Sequence, residues 1–238
     1  DQINWLAGII NGTSNFILTE MASKGRAFPD VLAEAQAKGY AEADPTFDIE
    51  GIDAAHKLAI LASLAFSIPL NIESIFVQGI TQLEQLDIGY ARELGYVIKH
   101  LGIARQSGAG VELRVHPTLI PEASLIAGVN DVLNAVMVDA DALGSSLYYG
   151  RGAGSEPTAS SVLADIIDIS RVLENPSATW VPALGCPLEA LTAQKMIPVA
   201  DIETCYYLRF SMRDTPGALS NATKIMADAD ISIEAIIQ

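Results

Sequence analysis

The sequence feature that most constrains the fold is an almost wholly apolar helix that follows directly after a run of carboxylates. Between Ala54 and Phe66 the only polar residues are a histidine, Lys57 and a serine. A surface helix normally carries one apolar stripe and one polar face, so this segment is predicted to be a largely buried helix. Asp53 and Lys57 lie four residues apart on its first turns and therefore share one helical face.

Ion pairs at this spacing are usually solvated contacts that contribute a few tenths of a kcal/mol. Here two features favour a functional role instead. A charged group on a buried helix needs partners, because an unpaired buried charge is strongly destabilising. The loop before the helix also supplies four further acids, Glu42, Asp44, Asp48 and Glu50. Several acids around one lysine suit a small zwitterionic substrate, since the acids can hold an ammonium group while the lysine transfers a proton.

Three motifs in this sequence resemble the signatures of the homoserine dehydrogenase family. They are Gly39–Lys57 (GYAEADPTFDIEGIDAAHK), Gly8–Leu18 (GIINGTSNFIL) and Gly150–Ser160 (GRGAGSEPTAS). The first resembles the substrate-site signature of the family from its first residue to its last, and the three occur in the order of the family. The resemblance extends over residues 1–174.

Members of this family interconvert L-aspartate 4-semialdehyde and L-homoserine with NAD or NADP, in the biosynthesis of threonine, methionine and isoleucine. The resemblance implies that Lys57 gives a proton to the substrate carbonyl oxygen, or polarises it, as hydride arrives. It implies catalytic roles for Lys57 and Asp53, and contacts to the substrate from Gly12, Thr13, Glu42, Asp48 and Asp53, with Asp44 as a further member of the acidic shell. It places four residues beside the cofactor: Gly39, Glu42, Gly152 and Gly154.

The glycine-rich loop Gly150–Gly154 lies between a predicted strand and a predicted helix, where glycines permit a ligand to approach the backbone closely. It is not a dinucleotide fingerprint, because GxGxxG and its βαβ frame are absent. The resemblance implies that this loop closes over the nicotinamide end of the cofactor. It also implies that NAD or NADP binds mostly to an N-terminal Rossmann domain that this sequence lacks, so the chain alone is expected to be inactive.

Strand pairs beside buried helices predict an α+β fold, in which helices cover a mostly antiparallel or mixed sheet. The predicted pairs are 97–105 with 111–118 and 132–138 with 145–149, and residues 72–80 are predicted to form a further strand. Residues 40–50 are predicted to be a loop. Thr13 or Ser14 is the predicted N-cap of the first helix.

Three regions are predicted along the chain. Residues 1–174 form a catalytic, substrate-binding and dimerisation domain, residues 175–204 a connecting segment with a short helix at 189–195, and residues 205–238 a second unit. In that unit, a strand at 205–212, a D-x-P-G-A-L turn, a helix at 218–229 and a strand at 231–237 resemble the first half of a ferredoxin-like ACT domain. ACT domains bind amino acids, so the resemblance implies an amino-acid effector; the simpler interpretation is an ordinary βαβ unit.

Composition limits the partners of the protein. A net charge of −15 disfavours nucleic acid and anionic membranes, and no apolar run reaches the ~18–20 residues of a membrane span. Two cysteines and three scattered histidines offer neither a disulfide framework nor a metal site, which predicts a cytoplasmic protein without a bound metal. A homodimer is predicted through residues 72–149, because these strands are too apolar for a sheet with two solvated faces.

Two other functions are compatible with the sequence. One is a noncatalytic module for dimerisation and amino-acid sensing, which the ACT-like tail favours and the shared face of Asp53 and Lys57 disfavours. The other is a different dehydrogenase whose Rossmann domain precedes an α+β substrate domain. The E-x-D-P loop at 42–45 disfavours that alternative.

Overall fold

Within residues 2–174 and 181–237, which the computed structural model describes, six strands form one sheet. They are β1 (Ile3–Ile9), β2 (Phe76–Val77), β3 (Tyr96–Ser107), β4 (Gly110–Pro121), β5 (Leu133–Ala140) and β6 (Gly144–Arg151). Their order across the sheet is β2-β4-β3-β1-β5-β6. Neighbouring strands are antiparallel except for β2 and β4, which are parallel. This mixed sheet confirms the predicted α+β class, and the hairpins β3–β4 and β5–β6 confirm the two predicted strand pairs.

The described ranges also contain seven α-helices and three 3-10 turns. The helices are α1 (Gly12–Lys24), α2 (Phe28–Ala37), α3 (Thr46–Ile49), α4 (Ile52–Phe66), α5 (Gln85–Glu93), α6 (Ser155–Glu174) and α7 (Ala218–Asp228). The 3-10 turns are Leu125–Gly128, Leu188–Ala190 and Val199–Asp201. In this part of the chain no helix is both long enough and apolar enough to cross a bilayer.

The helices that pack on the sheet cover one of its faces. Leu58 and Ala62 of α4 are fully buried in a core that includes Ala104 of β3. Helices α1 and α5 pack in a second core around Ile98. Ile98 and Ala104 are an even number of residues apart on β3, so both cores lie on the same face of the sheet. Leu101 lies on the opposite face, in a third core that the first 3-10 turn partly covers.

Helix α4 is buried on one side only, which corrects the prediction that it is largely buried. Ile60 and Leu64 are exposed on its outer side. The side chain of Lys57 is 47% exposed and that of Asp53 is 21% exposed. A single sheet covers only one side of a helix, so Lys57 and Asp53 lie at the rim of the packed layer. A small molecule can reach them there.

Three local predictions differ from the structure. The strand predicted at 72–80 shortens to β2, because the Asn71 side chain accepts a hydrogen bond from the backbone N–H of Ser74 and turns the chain. The loop predicted at 40–50 contains α3. The helix predicted at 189–195 is only the turn Leu188–Ala190, because the Thr192 N–H donates to the carbonyl of Ser67 and draws the chain toward the end of α4.

The tail forms the predicted helix, α7, but the strands predicted at 205–212 and 231–237 are not formed. A strand needs a hydrogen-bonded neighbour, and within the described residues neither segment pairs with the other or with the sheet. The tail contacts α5 instead, where Tyr207 Oη donates to Asp87 at 2.8 Å and Arg209 Nε lies 2.9 Å from the same oxygen. Burial and Asp87 raise the pKa of Tyr207. Residues 175–180, at the start of the predicted connecting segment, lie outside the described residues.

His100 is a buried titratable residue that packs against Gly51, the residue directly before α4. Its Nε2 atom lies 2.9 Å from the carbonyl oxygen of Gln78, so the neutral ring donates from Nε2. Nδ1 is buried, with no hydrogen-bond partner in the described part of the chain. The ring also lies against Gly51, where an added Cβ would be 2.9 Å from it. Burial lowers the pKa of His100 to about 4 from its ordinary value of 6.5.

We expect this buried histidine to make the fold sensitive to acid. Between pH 6.5 and pH 4 the unfolded chain binds a proton at this site that the folded chain does not, so stability falls as pH falls through this window. The loss reaches about 3 kcal/mol at pH 4. His100→Gln retains a donor for Gln78 and should reduce that loss in urea unfolding measured at several pH values. His56→Gln, at an exposed position, is the control. Equal acid sensitivity of the wild-type protein and both variants would contradict the role of His100.

Candidate functional site

The site is centred on the first turns of α4, where Asp53 and Lys57 form the predicted pair. Lys57 Nζ donates to Asp53 Oδ2 at 2.7 Å and to the carbonyl oxygen of Ile10 at 3.0 Å. The helix begins after Gly51, whose φ of 82° is in the left-handed region that favours glycine. This turn separates α3 from α4 and orients Asp53 and Lys57 toward the junction of β1 and α1.

Asn11 joins that junction to both acidic segments. Its Nδ2 atom donates to Asp48 Oδ1 of α3 and to Asp53 Oδ2 of α4, at 2.8 Å in each case. Its Oδ1 atom accepts from the backbone N–H of Ser14 at 2.8 Å and so caps α1. The cap is therefore Asn11, which corrects the predicted Thr13 or Ser14. The available sequence signal was an asparagine in the turn before a helix, where this residue type is a preferred N-cap.

Thr13 and Gly12 are brought to the same place, in roles that are partly structural. Thr13 Oγ1 donates to the carbonyl of Tyr40 at 2.6 Å and so ties the acidic loop to α1. A Cβ at Gly12 would lie 3.0 Å from the carbonyl oxygen of Val132, so glycine permits α1 to start close to β5. Helix starts present backbone N–H groups and a partial positive charge, which suit a carboxylate.

The remaining predicted acids are less closely connected with Lys57. Asp44 Oδ1 accepts from the backbone N–H of Thr46 at 3.1 Å, and the bonds to Thr46 lower the pKa of Asp44. Asp44 therefore stabilises the start of α3. Glu42 and Gly39 are exposed, and among the described residues no hydrogen bond joins Glu42 to Asp53 or Lys57. Gly39 has a φ of 72°, which glycine adopts readily, and it follows Lys38, the C-cap of α2.

The glycine-rich loop lies beside Asn134 of β5. An added Cβ at Gly152 would overlap the side-chain amide of Asn134, and a Cβ at Gly12 would lie 3.5 Å from Asn134 Oδ1. Asn134 therefore lies between the start of α1 and the loop. Its Oδ1 atom is buried and has no hydrogen-bond partner in the described part of the chain. Gly154, with a φ of 115°, makes the turn into α6.

A shallow depression of about 230 Å³ opens beside this loop. It is lined by residues of β5, β6 and the loop: Asn134, Ala135, Val136, Tyr148, Tyr149, Gly150, Arg151 and Gly152. It does not include Asp53 or Lys57. The site thus has a polar part on α1, α3 and α4 and a separate depression at the loop. Among the described residues no group of histidine, cysteine and acidic side chains could hold a metal ion.

A buried lysine anchors α1 behind the site. Lys99 Nζ donates to the carbonyl of Val129 at 2.6 Å, to Asn130 Oδ1 at 2.9 Å and to Asn15 Oδ1 at 3.3 Å. Asn15 Nδ2 in turn donates to the carbonyl of Leu133 at 3.0 Å. Burial lowers the pKa of Lys99 to about 8, against the opposing effect of Asp131. These bonds fix the first turn of α1, and with it Asn11 and Gly12, relative to β5.

Comparison with known proteins identifies the family. The model of the homoserine dehydrogenase family matches residues 1–167. The chain belongs to this family. It is 58% identical to a homoserine dehydrogenase of Pseudomonas aeruginosa and 56% identical to one of Neisseria gonorrhoeae, in each case over 100% of this chain and 55% of the relative. The chain therefore spans about half the length of the curated relatives it matches.

Solved structures of homoserine dehydrogenases share the fold. The crystal structure from Thiobacillus denitrificans superposes with a TM-score of 0.91 at 54% identity, over 100% of this chain and 55% of that one. A homoserine dehydrogenase of S. aureus at pH 7.5 superposes with a TM-score of 0.70 at 38% identity, over 76% and 46%. A hyperthermophilic archaeal homoserine dehydrogenase in complex with NADPH has a TM-score of 0.59 at 27% identity, over 71% and 48%.

The close approach of the glycine-rich loop to Asn134 leads to a prediction for stability. Gly152→Ala should destabilise the fold by about 1–3 kcal/mol, because its Cβ would overlap the Asn134 amide and force the loop or the strand to shift. Gly150→Ala is the matched control, since its Cβ meets nothing within 4 Å. Urea unfolding of the two variants measures the difference. Equal stabilities would mean that the loop does not pack against Asn134.

Proposed function

We propose that the complete protein interconverts L-homoserine and L-aspartate 4-semialdehyde with NAD or NADP, and that this chain supplies the substrate-binding part of the active site. The observation that carries the proposal is the position of Lys57 Nζ, 2.7 Å from Asp53 Oδ2 and 3.0 Å from the Ile10 carbonyl, at an accessible rim. Membership of the homoserine dehydrogenase family supports the same reaction.

The chemistry assigned to each residue follows from its charge and position. In the reducing direction Lys57 gives a proton to the carbonyl oxygen of the aldehyde, which becomes the hydroxyl group of homoserine. Asp53 holds Lys57 in place and, with Glu42 and Asp48, binds the substrate ammonium. The start of α1, at Gly12 and Thr13, binds the substrate carboxylate through backbone N–H groups. In the oxidising direction the neutral lysine accepts the hydroxyl proton.

The cofactor part of the proposal rests on the glycine-rich loop. Gly152 leaves space beside Asn134, whose Oδ1 is buried with no hydrogen-bond partner in the described part of the chain, and this space fits the flat polar end of a dinucleotide. Gly39, Glu42, Gly152 and Gly154 are the residues of this chain that would border it. When bound, the nicotinamide exchanges a hydride with the carbon that carries the substrate oxygen. One archaeal relative was solved in complex with NADPH, which favours a cofactor of this class.

Replacement of the central lysine tests the proposed reaction. In the complete protein, Lys57→Ala should lower turnover of homoserine by about 10²–10⁴-fold, the usual contribution of a positioned acid or base. Lys195→Ala, at an exposed position near the opposite end of α4 from Lys57, should retain the activity. Near-normal turnover in Lys57→Ala, with homoserine as substrate, would contradict the role of this residue.

We also infer that the protein forms a homodimer through residues 72–149. The sheet face opposite the helices carries partly exposed apolar residues, among them Ile103, Met137 and Leu147. On the same face Glu112 Oε2 and Arg114 form an ion pair of 3.7 Å, but Glu112 Oε2 and Arg114 Nε are buried without hydrogen bonds in the described part of the chain. A second copy of this face would cover the apolar residues and could supply the missing polar partners.

The proposed dimer can be tested in solution. Sedimentation at micromolar concentration should give twice the mass of the chain. Ile103→Asp and Met137→Glu should give monomers, because each would place a charge in the buried interface. Leu70→Asp, at an exposed position outside residues 72–149, should leave the dimer intact. A dimer that survives both interface changes, or that is lost when residues 205–238 are deleted, would place the interface elsewhere.

We also propose a noncatalytic role for the tail, residues 205–238, in sensing an amino acid. It is supported by the D-x-P-G-A-L turn, where Gly217 has a φ of 88° and starts α7. It is also supported by the contact of Tyr207 and Arg209 with α5, which connects the tail to the catalytic region. On this proposal residues 205–238 are part of an ACT domain that binds an amino-acid effector.

A further inference from the structure

We propose that Asn11 is a positioning residue for the reaction: it fixes the spacing of Asp48 and Asp53 and thereby sets where the substrate ammonium binds. This inference rests on the proposed function. Neither Asp48 nor Asp53 can set that spacing alone, since the two lie on different helices and their like charges repel each other.

The geometry of Asn11 leaves it little freedom. Only 6% of the residue is exposed, and three hydrogen bonds of 2.8 Å hold the side-chain amide. Both protons of Nδ2 are used on carboxylates, while Oδ1 is used on the helix cap. The amide therefore cannot rotate without breaking bonds to two charged groups, which are stronger than bonds between neutral groups.

The position of Asn11 in the chain couples these bonds to the proposed proton donor. Asp53 Oδ2 accepts both Asn11 Nδ2 and Lys57 Nζ, and Lys57 also donates to the carbonyl of the preceding residue, Ile10. One short segment of backbone thus determines the positions of Asp48, Asp53 and Lys57. Among the described residues, Lys57 itself forms a hydrogen bond with only one of the two acids, Asp53.

Substitutions separate this role from the helix cap. Serine caps a helix about as well as asparagine, but its side chain is shorter and has a single donor. Asn11→Ser should therefore retain the cap of α1 and lose the bridge between Asp48 and Asp53. Asn11→Asp retains the length and the cap but faces two carboxylates with a third. Asn11→Ala removes both the cap and the bridge.

In the complete protein, Asn11→Ser should lower kcat/KM for homoserine by about 10- to 100-fold, the scale of a lost hydrogen bond to a charged group. Asn11→Asp should lower it further. The loss of kcat/KM should come from a higher KM for homoserine. The KM for NAD or NADP should stay within about twofold, because the dinucleotide does not use these acids. A purely structural residue would change the active fraction, and hence kcat, without this asymmetry.

A crystal structure of the Asn11→Ser protein gives a readout that does not depend on activity. We expect the Asp48 and Asp53 carboxylates to move apart or to turn away from each other. Unchanged carboxylates, or an unchanged KM for homoserine in Asn11→Ser and Asn11→Asp, would overturn the inference. Failure of the wild-type protein to oxidise homoserine would instead overturn the proposed function, and the carboxylate positions would still test the role of Asn11.

Discussion

The rest of the structure depends on the packing of α4 directly against the sheet. That approach is close because β3 carries Gly102 under the helix, where an added Cβ would lie 2.9 Å from Ile10 and 3.4 Å from Leu58. Leu58 and Ala62 are then fully excluded from water, and each buried aliphatic side chain of leucine size contributes about 1.5–3 kcal/mol. Because the helix is held along its apolar side, Asp53 and Lys57 of its first turns lie beside this core and contact the junction of β1 and α1.

This packing explains why a charged site can exist beside an apolar core. Asp53 and Lys57 lie on the rim of α4, so they keep part of their hydration and avoid the full cost of burying charge. The bonds to Asn11 and to the Ile10 carbonyl replace the hydration that they lose. Lys99, by contrast, is buried, and its ammonium group donates to three oxygen atoms that replace its lost hydration. The cost of burying a lysine is thus reduced by partial exposure at Lys57 and by hydrogen bonds at Lys99.

Sequence patterns predicted those features that local physics determines. The apolar run predicted α4, and alternating apolar residues predicted both hairpins, because burial of one face sets the spacing of apolar residues along the chain. The contacts of Asn11 were not predictable, since they join residues 37 and 42 positions apart in the chain. The tail strands were mispredicted because a strand-like pattern at 205–212 carries no information about which neighbour it pairs with. The exposure of Lys57 was missed for a related reason: composition shows that a helix is apolar, not how many of its sides are covered.

On the proposed function, the charges of the site would complement a zwitterion that binds in one orientation. Asp48, Asp53 and Lys57 sum to one negative charge, which balances a single ammonium group. A substrate carboxylate would be repelled there and needs a separate positive region. Helix α1 offers that region, because its N-terminal end carries a partial positive charge and begins beside the two aspartates. Asn11 belongs to both regions, since its Nδ2 serves the acids and its Oδ1 serves the helix start. On the proposed function, the same residue that spaces the aspartates therefore also fixes the distance between the ammonium-binding and carboxylate-binding regions. Those two groups are on one carbon atom in every α-amino acid, so this part of the site would recognise the α-amino acid group and leave the side chain to be recognised elsewhere.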